Sequence, residues 1–204
     1  GIDDAPTIVA DSDVDNPGNQ VIDFQGGDDT IMLSGLPVNT AAGTDVTVEF
    51  WMNWDGVENV MPFGFGSYDL WLTGGNFGFN TGSGDLYGIS SAGLANGWHH
   101  VTAVFRNGDA TGSRLIIDGV EQTMTQRLST PSNGNAFAAS SAKISGWNNN
   151  STYKFDGQID QVRIWNGGRS ETQVRANMFT ELSGPQTGLV ASYSFTGATT
   201  GAGG

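Results

Sequence analysis

Val46-Thr-Val-Glu-Phe-Trp-Met-Asn-Trp54 alternates without a break: Val46, Val48, Phe50, Met52 and Trp54 fall on one side, Thr47, Glu49, Trp51 and Asn53 on the other. A period of two sends every second side chain to the same face, so the stretch predicts a long strand with one buried face. On either side of it, shorter runs of this kind occur at 21–24, 29–33, 69–73, 76–80, 99–106, 113–117, 142–147, 158–165 and 188–195. Glycine-rich turns separate them, the pattern of a sandwich or jelly roll. Asp118-Gly119, between Leu115-Ile-Ile117 and Val120, predicts a two-residue hairpin turn, because Asp and Gly tolerate the positive φ that both central positions need. One helix is expected, opened by a capping box of Ser170 and Gln173 and continued by Val174 and Met178 at helical spacing. The expected fold is therefore all-β: a two-sheet antiparallel jelly-roll β-sandwich with one short helix near the C-terminus. No internal repeat is present.

The chain has 204 residues, enough for one full-sized sandwich, and its 6 Trp, 11 Phe and 4 Tyr supply a packed interior. Acidic residues outnumber basic ones 21 to 8, a formal net charge of −13 that repels phosphate backbones and argues against nucleic acid and anionic membranes as partners. The same charge suits divalent cations or high salt, or simply solubility. Without cysteine there are neither disulfides nor thiolate metal sites. No apolar run of about 18 residues exists to insert into a membrane. Residues 1–19 are polar, acidic and interrupted by Pro6 and Pro17, and read as an interdomain linker ahead of a domain at 20–196. Residues 197–204 are Gly, Ala and Thr only and read as a flexible tail. Both ends read as cut from a longer chain, and no secretory signal is visible at the start. Asp11, Asp13 and Asp15 imitate the opening of an EF-hand, but Asn16 stands at the sixth position and Ile22 at the twelfth, so the match fails and solvated linker charge is the expectation.

Three segments carry a family likeness: Val46–Trp54; Trp98-His-His-Val-Thr-Ala-Val-Phe105 with Leu115-Ile-Ile-Asp-Gly119; and Phe155-Asp-Gly-Gln-Ile-Asp-Gln-Val-Arg-Ile-Trp165 followed by the short helix. In this order and spacing the chain resembles the laminin-G-like, concanavalin-A-like jelly roll related to pentraxins and legume lectins. Val21–Asp29 and Leu189–Phe195 are similar to that family's first and last strands. Ile2-Asp-Asp-Ala-Pro6 is similar to the linkers of large bacterial surface adhesins of the RTX type. The resemblance implies a structural Ca²⁺ at Asp160, helped by the Gly26-Gly27-Asp28-Asp29 loop. Alternation supports this by placing Asp160 inward with Val162 and Ile164, where a carboxylate needs a cation or hydrogen bonds. The other reading is an Asp that caps turn amides. Asp69 and Asp85 form a second candidate Ca²⁺ set, against ordinary turn aspartates.

Ligand contacts are expected from two loop regions rich in Gly, Asn and aromatic residues, 63–87 and 146–153. The candidates are Tyr68, Asn80, Asp85, Tyr87, Trp147, Asn148 and Asn149. Phe63, Phe65, Phe77 and Phe79 follow strand alternation and read as core, and Trp147 reads equally as binding or packing. His99 and His100 are adjacent on a strand, point to opposite faces and cannot share a metal without distortion. The five Glu residues, 49, 58, 121, 171 and 181, offer no pair of acids at alternate strand positions, and acid–base glycoside hydrolysis needs two carboxyls roughly 5–9.5 Å apart. P-loop, nucleophile-elbow and HExxH motifs are absent too. The expected function is thus a non-catalytic, calcium-dependent module of a monomeric kind. It is expected on the bacterial cell surface, between flanking adhesin repeats, recognising an extracellular glycan or exposed peptide. A carbohydrate-binding accessory to a secreted glycosidase and a structural spacer that binds nothing are the alternatives.

Overall fold

The alternation at Val46–Trp54 becomes β4 (Asp45–Trp54), a strand hydrogen-bonded along its length on both sides. The computed structural model describes residues 7–10, 20–66, 68–132, 141–147 and 152–195. Its other strands are β1 (Thr7–Ala10), β2 (Gln20–Gln25), β3 (Ile31–Leu33), β5 (Phe63–Phe65), β6 (Tyr68–Thr73), β7 (Asn76–Asn80) and β8 (Leu86–Ser90). They continue with β9 (Trp98–Arg106), β10 (Arg114–Ile117), β11 (Val120–Glu121), β12 (Thr125–Leu128), β13 (Ala142–Ile144), β14 (Asp156–Asn166) and β15 (Leu189–Tyr193). A single α-helix among the described residues, α1 (Glu171–Asn177), lies between the last two strands.

The first sheet runs β1-β2-β14-β4-β9-β10-β11, with β15 also paired to β14, and the second runs β12-β8-β7-β6-β5-β13-β3. Every ladder is antiparallel, and the two sheets close on one core, a jelly-roll sandwich. The core-facing set of β4 meets Phe63 and Phe65 of β5, Tyr68 and Leu70 of β6, and Phe77 and Phe79 of β7. Phe105 is the hub, with the rings of Phe65, Tyr68 and Phe79 edge-on to it at 5.3, 5.1 and 5.0 Å. Each such pair adds about 0.5–1.5 kcal/mol beyond area burial.

The Asp118-Gly119 turn has φ of 50° and 75°, as the hairpin requires. The capping box forms: Ser170 Oγ accepts from the Gln173 N–H, and Gln173 Oε1 accepts from the Ser170 N–H. Behind it, α1 and the residues after it cover the outer face of the first sheet. Arg169 donates to Glu49 Oε1 at 2.9 Å and lies 3.9 Å over the Trp165 ring. Arg163 donates to the Asn177 and Thr180 carbonyls, and Trp51 Nε1 donates to the Met178 carbonyl.

Three features depart from the sequence expectation. Thr7–Ala10, read as linker, adds an edge strand by pairing with Gln20–Asp23; its β-branched Thr-Ile-Val core suits a strand more than a coil. Strands β5, β8, β11 and β12 are not among the runs read from sequence: β5, β11 and β12 hold four residues or fewer, and Gly88 interrupts the short apolar pattern of β8. Asp160 does not face the core. It pairs with Trp51, whereas Arg163, three residues on, pairs with Glu49, only two residues from Trp51, across a one-residue bulge. Gln161, at φ 50°, absorbs the extra residue and resets the alternation, so Ile159 and Val162 face inward and Asp160 faces out.

Candidate functional site

On β6, Leu70 and Leu72 are core residues, so alternation turns Asp69 and Trp71 to the outer face of the second sheet. Gly78 and Asn80 of β7 stand beside them in register. Residues 145–147 and 152–153 lie against this face. Beyond Ile144 the chain leaves β13 through Ser145 and Gly146, at φ 69° and 91°, and presents Trp147. Both stretches are tied to the segment ahead of β5: the N–H of Ser145 donates to the Pro62 carbonyl, that of Gly146 to the Met61 carbonyl, and that of Met61 to the Tyr153 carbonyl. Tyr153, held at φ 62°, brings its ring edge-on to Trp71 at 5.9 Å and to Trp147 at 6.2 Å. A non-glycine residue in this region costs of order 1 kcal/mol or more and persists because the surrounding contacts fix it.

The three rings, with Met61 and Asn80, enclose a cleft of about 90 Å³, its remaining edge formed by Gly82 and Gly84. That is about three water volumes. The glycine edge is shaped by Asp85, which is fully buried and accepts from the N–H and Oγ1 of Thr81 and the N–H of Ser83. Asn80 Oδ1 accepts from the Gly82 N–H in the same turn. The indole nitrogens of Trp71 and Trp147 are buried without a hydrogen-bond partner. Aromatic walls with planar polar groups at the rim match the chemistry of a sugar ring, whose C–H face packs on an aromatic ring while hydroxyls hydrogen-bond amides.

A second cleft, about 490 Å³, lies on the outer face of the first sheet. Its floor is a grid of paired residues: Asp23, Gln158 and Asn53 in one row, Gln25 and Asp156 in the next, with Asp55 and Asn96 at the edge. Burial pushes the Asp156 carboxyl up, and repulsion from Asp55, Asp23 and Asp29 adds to it. The donor set is oxygen, as a hard cation requires. Among the described residues, however, no three acidic or imidazole side chains come together closely enough to hold a metal ion. As placed, the residues do not form a calcium cage.

The residues expected from sequence are scattered by the fold. Asn80 and Trp147 line the aromatic cleft. Tyr68 does not: it is 1% exposed in the core, where its hydroxyl bonds Ser113 Oγ at 2.6 Å and burial raises its pKa. Its alternation with Leu70 and Leu72 is the physical reason. Tyr87 pairs with Phe79 and is partly buried away from the cleft lining. Asn148 and Asn149 lie outside the described residues, as do the acids at 11–15.

The expected metal ligands are likewise not assembled. Asp28 is exposed in the loop after β2, while Asp160 sits four residues along β14 from Asp156, about 13 Å at strand rise, and faces away from the core. The loop's buried carboxylate is Asp29, which accepts from the Gln25 N–H. Asp85 caps its turn, and Asp69 stands alone on β6 rather than with it. His99 bonds Asp118 at 2.7 Å while His100 packs on Trp51, on opposite faces as alternation requires. Trp71 and Tyr153 were missed as site residues. The signal for Trp71 was present, a large aromatic between two core leucines and so facing away from the core.

Comparison with known proteins agrees with this architecture. No curated protein matches the chain. Among solved structures, a Bacteroides ovatus "putative carbohydrate binding protein" superposes with a TM-score of 0.60 at 18% identity, over 90% of this chain and 53% of its own. The receptor binding domain of botulinum neurotoxin mosaic serotype C/D gives 0.53 at 14%, over 84% and 43%. That of botulinum neurotoxin D gives 0.51 at 13%, over 91% and 51%. The chain thus spans about half the length of these structures, and at such identities they establish the fold alone. The model of the concanavalin A-like lectin/glucanases superfamily matches residues 25–175, from the end of β2 through most of α1, and the chain belongs to that superfamily.

Proposed function

We propose that this chain is a non-catalytic glycan-binding module that attaches a bacterial cell surface to sugars outside the cell, through the cleft of Trp71, Trp147 and Tyr153. The observation that carries the reading is the set of three edge-on rings around a small cleft with Asn80 at its side, on a sheet face pointing away from the core. The lectin superfamily supports it, as do a carbohydrate-binding and a receptor-binding description among the structures of like fold. The cysteine-free composition fits a bacterial surface protein exported without disulfides as well as a cytosolic one, and in the first setting the module acts between neighbouring domains of an adhesin.

The test is a glycan array with the purified chain, followed by tryptophan fluorescence titration of each hit. Trp147→Ala is expected to weaken binding at least tenfold with an unchanged melting temperature. A blank array, or hits indifferent to Trp147→Ala, overturns the reading, and capture from a peptide panel alone replaces the glycan with a peptide. Calcium is the second part of the proposal: the carboxylate repulsion on Asp156 from Asp55, Asp23 and Asp29 is what a bound cation would relieve. Millimolar Ca²⁺ is then expected to raise the melting temperature over EDTA, and Asp156→Asn to abolish the difference. Identical melting curves in Ca²⁺ and EDTA remove calcium from the function.

A further inference from the structure

The fold buries Asp69 and Lys143 and leaves both unpaired. Asp69 is 1% exposed and Lys143 7%, and neither Asp69 Oδ2 nor Lys143 Nζ has a hydrogen-bond partner. A buried charge without a partner is costly, so such groups neutralise instead. Ala142 and Ile144 are core residues, so alternation turns Lys143 to the outer face of the second sheet, where Asp69 also stands. The two share one row across that face: Lys143 of β13 is directly opposite Gly64 of β5, and Gly64 is directly opposite Asp69 of β6. Gly64 puts no side chain between them, and the Asp69 carboxyl leans into the gap. A Cβ built on Gly64 would lie 2.6 Å from Asp69 Cγ, with Oδ1 closer still. Opposed Cβ positions on antiparallel strands are about 4.5–5.5 Å apart, which sets the Asp69 carboxyl carbon about 5 Å from Lys143 Cβ. The four-carbon stem of lysine spans that gap by a change of rotamer, with no movement of the backbone. Burial raises the Asp69 carboxyl well above its ordinary range, against the pull of Lys143. Burial first, and then the charge of Lys154, lowers the Lys143 amine against the pull of Asp69. Both shifts favour the neutral acid and the free amine.

We infer that the Lys143 amine condenses with the Asp69 carboxyl to form an intramolecular amide, a covalent clasp that joins β6 to β13 across β5. The lone pair of Nζ attacks Asp69 Cγ and the N–C bond forms. The bond from Cγ to its hydroxyl oxygen breaks, one Nζ proton passes to the departing hydroxyl, and water leaves. No oxidant or reductant takes part. A protonated carboxyl offers a hydroxyl that can leave, and an unprotonated amine offers a lone pair; a carboxylate facing an ammonium offers neither. Well-oriented groups within one molecule react at effective molarities of about 10⁵–10⁸ M. Burial of both groups also keeps out the water that would reverse the step. The clasp is independent of the glycan reading, since neither residue lines the aromatic cleft.

The experiment is mass spectrometry of the unaltered chain, purified in its folded state and then denatured. Its mass is expected to fall below that of the sequence by one water. A tryptic digest is expected to show no cleavage after Lys143, because an amide nitrogen carries no charge for the protease to recognise, and to contain a branched peptide joining Lys143 to Asp69. Lys143→Arg, which keeps the positive charge but supplies no free amine, and Asp69→Ala are each expected to carry the full mass of their own sequences. A full mass in the folded, unaltered chain after prolonged incubation at neutral pH overturns the inference. So does a lost water that persists in Lys143→Arg, or one that maps to another residue, as when an aspartate closes on its own backbone. The deciding measurement is made on the unaltered protein, so a folding defect in either variant can neither imitate the bond nor hide it.

Discussion

Asp85 separates a structural carboxylate from a ligand or metal residue, and Asp85→Ala tests which it is. Three donors converge on it: the Thr81 N–H at 3.0 and 3.1 Å from its two oxygens, the Thr81 hydroxyl at 3.0 Å, and the Ser83 N–H at 3.2 Å. Asp85 and Thr81 are buried, so truncation strands the two Thr81 donors away from water, while the N–H of Ser83, an exposed residue, turns to solvent. At about 1 kcal/mol for each stranded donor, the variant loses about 2 kcal/mol. In a chain of this length that lowers the melting temperature by about 4–8 °C. Asp85→Asn keeps the shape and one acceptor oxygen but turns an amide N–H toward a donor, so about half the loss is expected. The measurement is urea denaturation of wild type and both variants, each with Ca²⁺ and with EDTA. The capping argument predicts the same loss in both buffers. A variant within about 0.5 kcal/mol of wild type, or a loss confined to the calcium buffer, refutes it and returns Asp85 to the ligand or metal residues.

Arg169→Met strands Glu49, which is fully buried and whose pKa burial already raises against the pull of Arg169 and Arg163. An uncompensated buried charge costs about 3–5 kcal/mol, and an unfolding free energy within about 1 kcal/mol of wild type would contradict the pairing. His100 is held down to about 4 by burial first and then by Arg163, against an ordinary 6.5. The unfolded chain therefore takes up a proton that the folded one refuses, so this contribution is complete above pH 6.5 and is lost as pH falls from 6.5 toward 4. His100→Gln should flatten that limb of a stability–pH curve, and an unaltered limb shows that other groups produce it. Tyr68→Phe removes the buried bond to Ser113 and should cost about 1 kcal/mol while leaving sugar affinity unchanged; a drop in affinity would place Tyr68 in the site after all.

Where local rules act alone, the sequence was a sufficient guide. The period of two at Val46–Trp54 needs only the geometry of a strand, and the Asp118-Gly119 turn and the Ser170–Gln173 box need only backbone dihedrals and nearby donors. Alternation likewise separated His99 from His100 and put Phe63, Phe65, Phe77 and Phe79 in the core. It failed at Asp160, because one inserted residue at Gln161 inverts every face beyond it, and a bulge leaves no mark in composition. For the candidate cleft, loop chemistry singles out Asn80 and Trp147, which line it, whereas Tyr68 was drawn from the same loop-rich stretch although its strand turns it inward.

What the chain order alone settles is therefore the longer strands, the jelly-roll class and the short capped helix, since each follows from interactions within a few residues. Which residues meet is a different matter. Trp71 and Tyr153 lie 82 positions apart, and Asp69 and Lys143 stand 74 apart on either side of Gly64; only the order β6-β5-β13 within one sheet brings them to a common face. Acidic residues that look like a calcium set along the chain are dispersed by the same packing, because strand direction and face, rather than spacing in sequence, decide which carboxylates share a cleft.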